Sequence, residues 1–267
     1  MDSKKLAKNL RIDVLNMIAG TGASHVGPNL SICDIMAVLY SKVMRIDPKK
    51  PEDPNRDQFL LSKGHAGATV YAVLAEMGFF PKENLKMYYK NGSTFSGHVT
   101  KTGNPGVDFS AGSLGLGINV AVGKAFAFKM DKKAGRVFVL VGNGECNEGA
   151  VWETAMFAAH HKLDNFTVII DDNKMQSMGN SNEIINMDSM REKWQAFGFN
   201  AIEVDGHNHE ELERALKTQV KGKPTAVICN TIKGKGVSFF ENSAEWHNSK
   251  LSEEIRDKAI LELGGKI

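Results

Sequence analysis

The sequence predicts an α/β fold: a doubly wound, mostly parallel sheet with helices on both faces. Three observations predict it. Val137-Phe-Val-Leu-Val141 and Phe166-Thr-Val-Ile-Ile170 are short apolar runs rich in β-branched residues, the pattern of strands buried on both sides. A helical pattern from about Asn147 to Lys162 lies between them, long enough to carry the chain back for parallel pairing. Strand-like and helix-like segments then alternate to the end of the chain, as βα units do.

Leu6, Leu10, Val14, Met17 and Ile18 recur at helical spacing, so Lys4 to Ala19 reads as an amphipathic helix that Gly20-Thr-Gly22 stops. Ala23 to Asn29 contains Gly27-Pro28 and reads as a loop. Ser31, with Asp34 three residues on, resembles a helix N-cap, and Ile32, Ile35, Met36, Leu39, Tyr40 and Val43 supply the apolar stripe behind it. The Pro- and charge-rich segment 47–57 is a loop leading to a short strand at Phe59 to His65. Residues 66–77 and 81–89 read as helices. The glycine-rich, aperiodic stretch 90–113 is the length at which a loop is more often functional than filler. Leu114 to Lys129 is a helix containing Gly115, Gly117, Ala121, Gly123 and Ala125, and glycine inside a helix points to tight packing against another backbone. After the central unit come a polar loop at 174–187 and a helix at Asp188–Phe197. A strand at Asn200–Val204, a helix at His209–Val220 and a strand at Thr225–Asn230 follow. From about residue 231 a loop and a last helix, Ser252 to Leu263, complete what reads as one domain over 1–267.

With 42% hydrophobic and 24% charged residues the chain has the balance of a soluble globular domain. A net charge of +2 gives no electrostatic reason to expect a nucleic-acid or membrane partner. Cys33, Cys146 and Cys229 lack metal-ligand spacing and read as buried thiols of a reducing compartment. The N-terminus lacks the apolar core of a signal peptide and no apolar run reaches membrane-spanning length, so a cytoplasmic location is expected. The sequons at Asn29, Asn91 and Asn165 are then chance matches.

Ligands of parallel sheets bind at the carboxyl ends of the strands. Here those ends carry Gly142-Asn-Gly144-Glu-Cys-Asn-Glu148 and Asp171-Asp-Asn173. Glycines let backbone amides approach a diphosphate, and the helix that follows turns its positive end toward it. The Asp and Asn oxygens suit a hard divalent cation. A nicotinamide site is disfavoured because the third glycine of G-x-G-x-x-G is missing. A phosphate-binding P-loop fails because Gly117 lies one residue too far from Gly123-Lys124 and Ala125 replaces the hydroxyl residue. Lys233-Gly-Lys-Gly236 reads as lysines of a solvated glycine turn. His25, His65, His98, His207 and His247 all sit in loops. Four such loops could converge on the strand-end crevice as a proton-carrying cluster.

On these motifs the chain resembles the N-terminal, diphosphate-binding part of transketolases, a thiamine-diphosphate family. The family's cofactor motif is Gly-Asp-Gly, a spacer of roughly 25 to 30 residues, then Asn-Asn or Asp-Asn. Here it would be Gly142-Asn143-Gly144 to Asp172-Asn173. Ser24-His25-Val26-Gly27-Pro28, Leu61-Ser-Lys-Gly-His-Ala66, Ser96-Gly-His98, Ser113-Leu-Gly-Leu-Gly117, Glu148-Gly149 and Lys233-Gly-Lys-Gly-Val-Ser238 before Trp246-His247 also fit. The resemblance implies that Asn143, Asn173 and the Met175 carbonyl ligate Mg2+ or Ca2+. It implies that Gly142, Gly144, Glu145, Ser113, Leu114, Asn173, His65 and His247 hold the cofactor. His25, His98 and His247 would line the substrate channel and move protons, and Glu148 would stand at a subunit contact. Two positions depart from the family: Asn143 replaces its metal-binding Asp, and Asn248-Ser249 follows His247 where the family has Gly and a basic stretch.

A full transketolase is more than twice as long and carries a second, pyrimidine-binding domain whose glutamate activates the cofactor. The resemblance therefore implies a split enzyme. A partner subunit of about 300 residues would bind the pyrimidine, in a heterotetramer that includes a homodimer contact. The reaction implied is reversible transfer of a two-carbon ketol unit from a ketose phosphate to an aldose phosphate. The alternatives are a transketolase for a branched or otherwise unusual sugar phosphate, half of another thiamine-diphosphate enzyme, and a degenerate domain that only binds a partner.

Overall fold

The computed structural model describes residues 1–267. Five strands form one sheet: β1 (Gln58–Leu61), β2 (Val137–Gly142), β3 (Phe166–Asp172), β4 (Asn200–Asp205) and β5 (Thr225–Asn230). Their order is β1-β2-β3-β5-β4, and every neighbouring pair is parallel. The expected doubly wound α/β fold is what the chain forms, with a sheet that is parallel throughout.

Alternation along each strand divides the core. Phe138, Leu140, Ile169, Val227 and Cys229 face α1 (Ser3–Ile18), α3 (Cys33–Val38), α4 (Gly67–Glu76), α9 (His209–Lys217) and α10 (Glu253–Glu262). Val137, Val139, Val141, Phe166, Val168, Ile170 and Ile228 face the opposite way. There they meet α5 (Leu116–Met130), α6 (Gly149–His160) and α8 (Met190–Ala196). Both faces are covered, which is why the strands read as continuous apolar runs. The three cysteines are free and buried, and no helix is long and apolar enough to cross a membrane.

Several local expectations are corrected. The Gly27-Pro28 segment is not a loop: Val26–Ser31 forms a short helix, α2, and Pro28 sits in its first turn, where proline is tolerated. Ser31 is no N-cap. Its hydroxyl donates to Pro28 O and to Asp171, and α3 begins behind an uncapped Ile32. Asp34 instead receives Arg11 at 2.5 Å, His207 Nδ1 at 2.7 Å and His209 Nε2 at 3.0 Å. His207 Nε2 accepts from the Ile232 amide, so Nδ1 carries the proton given to Asp34. This buried cluster ties α1, α3 and the start of α9 to the segment after β5, and it accounts for the fifth loop histidine. Residues 82–87 form a 3-10 rather than an α-helix. A short helix, α7 (Ser181–Ile184), lies inside the polar loop after β3.

The glycines of α5 serve two different purposes. A Cβ on Gly117 would stand 2.6 Å from Ser62 Cα, so this glycine lets α5 lie directly against the end of β1. Gly123 has open space around it and plays no such part. Gly117→Ala is therefore expected to destabilise the fold by about 1–3 kcal/mol, whereas Gly123→Ala should stabilise it slightly. Urea unfolding followed by the fluorescence of buried Trp194 measures both.

Candidate active site

The carboxyl ends of β1, β2, β3 and β5 open onto one cavity of about 330 Å³, and its wall includes Asn143, Gly144, Asn173, Met175, His65 and His247. At its floor lies Asp171, fully buried at the end of the central strand. Its carboxylate accepts from Lys63 Nζ at 2.6 Å, Ser31 Oγ at 2.8 Å, Thr231 Oγ1 at 2.5 Å and Asn173 Nδ2 at 2.9 Å. Burial alone would raise this carboxyl, but the Lys63 ammonium and the Thr231 and Ser31 hydroxyls hold it below the usual carboxylate range.

Asn173 is fixed from both sides, because its Oδ1 accepts from the Met175 amide at 3.1 Å. Asn143 Nδ2 reaches Ser181 Oγ at 2.6 Å. Within the chain no donor meets Asn143 Oδ1, and the hairpin bonds of the loop run to the carbonyls of Lys174 and Gly179, leaving that of Met175 free. Open lone pairs on two amide oxygens and a carbonyl are a donor set that fits a hard divalent cation. Asp172 is turned aside to Lys174.

Four loop histidines stand together beside the cavity. The His25 ring lies 5.2 Å from His65, 5.9 Å from His98 and 5.4 Å from His247, and His65 lies 5.4 Å from His247. His65 and His247 line the cavity itself, while His25 and His98 extend the cluster outward. The aperiodic stretch that carries His98 is stitched to the frame by Val99 N to Gly64 O and Thr100 N to the Tyr71 hydroxyl. His25 sits in the left-handed region at φ 71°, an uncommon conformation for a non-glycine residue. Asn29 holds it there: its Nδ2 donates to His25 O at 2.8 Å and to His65 O at 3.3 Å, while Thr69 donates twice to its Oδ1.

Lys233 corrects the expectation of a solvated turn. It is 1% exposed, threads under Gly27 and donates to Gln176 O at 2.9 Å, with His247 Nδ1 at 3.0 Å. Burial first, and the Lys63 charge second, lower its pKa to about 8. Burial, reinforced by His98, Lys233 and Lys63, lowers His25 to about 4. Burial with Lys233, His25 and Lys63 lowers His247 to about 3, and His65 falls well below its ordinary value for the same first reason.

The remaining expected residues divide. Gly144 and Leu114 line the cavity, and Glu148 does so from an exposed position at its rim. Glu145 is buried with its carboxylate turned to Ser62 and to the amides of Gly115 and Gly142, so it and the Gly142 N–H are committed within the chain. Ser113 is exposed and outside the cavity wall. Sequence reasoning assigned no role to Lys63, Asn29 or Gln176, and it offered the Asp171 and Asp172 oxygens to a cation, whereas Lys63 and Lys174 hold them. The only signal for the two lysines is that Lys63 and Lys233 lie in glycine-flanked segments already singled out for their histidines.

This geometry has consequences for stability. Lys63→Met leaves a buried carboxylate without its cation and is expected to cost about 3–5 kcal/mol in urea unfolding, most of it recovered when Asp171→Leu is added. Below the ordinary histidine value of 6.5 the unfolded chain takes up protons that folded His25 and His247 refuse until about 4 and about 3. The contribution of these two histidines is thus complete above 6.5 and falls as the pH drops through that window. The thermal midpoint of the cofactor-free chain should decline between pH 7 and 4.5, with a shallower slope in the double variant His25→Gln/His247→Gln. An unchanged slope would contradict the assignment.

Comparison with known proteins agrees with this architecture. The family model "Transketolase, thiamine diphosphate binding domain" matches residues 2–264. A 6-deoxy-6-sulfo-D-fructose transketolase subunit of Clostridium sp. (strain MSTE9) is 41% identical over 265 residues, covering 98% of this chain and 96% of its own. An apulose-4-phosphate transketolase subunit of Phocaeicola vulgatus is 37% identical over 269 residues, covering 100% and 94%. The crystal structure of transketolase from Campylobacter jejuni superposes with a TM-score of 0.92 at 31% identity, covering all of this chain but 44% of that one. The chain spans nearly the whole of the subunit-type relatives and less than half of the one-chain enzyme. With the family model running almost end to end and the strand-end cavity in the same fold, the chain belongs to the transketolase family, as a transferase subunit with its thiamine diphosphate-binding domain.

Proposed function

We propose that this chain holds the diphosphate and the divalent cation in a two-subunit transketolase, which moves a two-carbon ketol unit reversibly from a ketose phosphate to an aldose phosphate. The observation that carries the reading is the meeting, at one set of strand ends, of three open oxygen ligands and four histidines. Asn143, Asn173 and the Met175 carbonyl would hold Mg2+ or Ca2+, and His65, His247 and the Gly144 backbone would meet the diphosphate. When bound, thiamine diphosphate supplies the electron sink that lets the bond beside the ketose carbonyl break.

The chain's own part is to orient and to carry protons. His25 and His247 are neutral at pH 7, since both titrate far below it. His247 Nδ1 accepts from Lys233, so its Nε2–H is left to donate to a sugar oxygen, while neutral His25 carries one ring N–H to give and one lone pair to receive a hydroxyl proton. His98 stands on the outer side, where a substrate would enter.

Glu148, exposed at the rim, would meet a partner subunit that binds the pyrimidine end. Leu114, Leu116, Met156 and Phe157 are exposed on the same two helices and their approach, an apolar surface suited to subunit contact. One domain over 1–267 would thus contribute half of each site in a heterotetramer. Among donors, a sugar outside the common pentose phosphates is favoured by Asn248-Ser249 after His247 and by the sugars for which the two subunit-type relatives are named.

The test is thermal stabilisation of the purified chain. Thiamine diphosphate with Mg2+ should raise the midpoint by several degrees at saturating concentration, whereas thiamine with Mg2+ should not. Ketol transfer should require an added pyrimidine-binding subunit. Equal shifts with thiamine and thiamine diphosphate, or none with either, would rule the reading out.

A further inference from the structure

The cation seat is neutral. Its three ligands are two amide oxygens and a peptide carbonyl, and nowhere in the chain do three or more His, Cys, Asp or Glu side chains gather as a metal-holding group. The acids beside the three ligands are committed elsewhere, and Glu148 stands exposed at the rim. Asp171 is neutralised by Lys63, Asp172 by Lys174, and Glu145 is tied to Ser62 and two backbone amides. Two ammonium groups, Lys63 and Lys233, face the same cavity. A divalent cation approaching alone therefore meets no carboxylate among its ligands to offset its dehydration, and the Lys233 ammonium, which no carboxylate pairs, opposes it. A diphosphate reverses that balance.

The amide at position 143 has a second consequence. A carboxylate offers an oxygen whichever way it turns, but an amide must keep its NH2 away from the cation. Asn143 is 5% exposed, so that NH2 needs a protein acceptor, and Ser181 Oγ at 2.6 Å is the one it has. Ser181 opens α7, the short helix in the loop that follows the Met175 ligand, so the loop supplying the carbonyl also sets the amide.

We propose that this seat takes its divalent cation only together with a diphosphate, as one metal–diphosphate unit, and that Ser181 is the positioning residue that keeps the Asn143 oxygen turned into the seat. The inference rests on the reading of the cavity given above.

Mn2+ binding to the full chain, followed by loss of the free-ion electron paramagnetic resonance signal, tests it without any activity measurement. Wild type should retain little Mn2+ alone and a saturable amount once thiamine diphosphate is added. Asn143→Asp should bind Mn2+ alone at least about tenfold more tightly than wild type. With thiamine diphosphate present, Ser181→Ala should weaken Mn2+ binding about tenfold in the wild-type background and less than about twofold in Asn143→Asp. Ser181→Thr, which keeps the hydroxyl, should restore it. Wild type holding Mn2+ alone as tightly as Asn143→Asp overturns the coupled binding. An equal effect of Ser181→Ala in both backgrounds overturns the role of Ser181. Failure of wild type and Asn143→Asp alike to retain Mn2+ with thiamine diphosphate overturns the cavity reading itself, and this proposal with it.

Discussion

Asp171 is a fully buried carboxylate at the end of the central strand, and the elements that build the cavity are those that answer its charge. Lys63 comes from the turn after β1, Ser31 from α2, Thr231 from the residue after β5 and Asn173 from the residue after β3. A charge at this depth is tolerated only when every lone pair has a donor and the charge a counter-ion. Four segments distant in sequence must therefore reach one point. The Lys63 ammonium also donates to Pro28 O, which fastens the start of the chain to the same point. A hydrophobic cluster in this place would be as stable, but it would leave the relative positions of these segments less defined.

The geometry of the histidines descends from that arrangement. Asn29 lies in α2 between Pro28 and Ser31, both of which the hub grips, and from there it binds the backbones of His25 and His65. His25 is held at positive φ by this contact and by the helix that begins after it. Lys233 repeats the device on the other side, reaching beneath Gly27 to Gln176 and His247. A Cβ at Gly27 would stand 3.1 Å from the Lys233 stem, so the backbone itself leaves the passage. Strain at His25 and burial of two lysines are costs borne by the fold to hold the cluster ready.

What the sequence made legible follows from the range of the interactions involved. β2 and β3 were readable because burial on both faces makes them runs of mostly apolar, β-branched residues, and α1 because a half-buried helix keeps its stripe. The loop histidines were readable as candidates through their glycine and serine neighbours. By contrast, α2 was hidden because Pro28 is normally a break signal, while the bonds that fix this helix, from Lys63 in the turn after β1 to Pro28 O and from Ser31 to Asp171 of β3, join residues far apart in sequence. Ser31 and Asp34 imitated a capping pair while each served a distant partner. Lys63 and Lys233 could not be told from surface lysines, since a lysine's burial depends on a carboxylate or carbonyl that lies tens of residues away. Asn143 was visible as a departure from a motif, but the hydroxyl that completes it lies across the cavity in another loop.

The distribution of charge decides what the cavity is prepared for. Its histidines are kept neutral by burial and by neighbouring ammonium groups, its carboxylates are neutralised or turned away, and its free oxygens carry no charge. The uncompensated charge inside is therefore the positive charge of Lys233, itself weakened to a pKa of about 8 by burial and by Lys63. An environment of that kind favours an anion with several negative charges and has nothing to gain from a simple cation or a neutral sugar. Glu148, the carboxylate that remains unpaired, faces outward at the rim. The cavity thus has the charge balance for a diphosphate and is open at its mouth, as the two-subunit site proposed above would require.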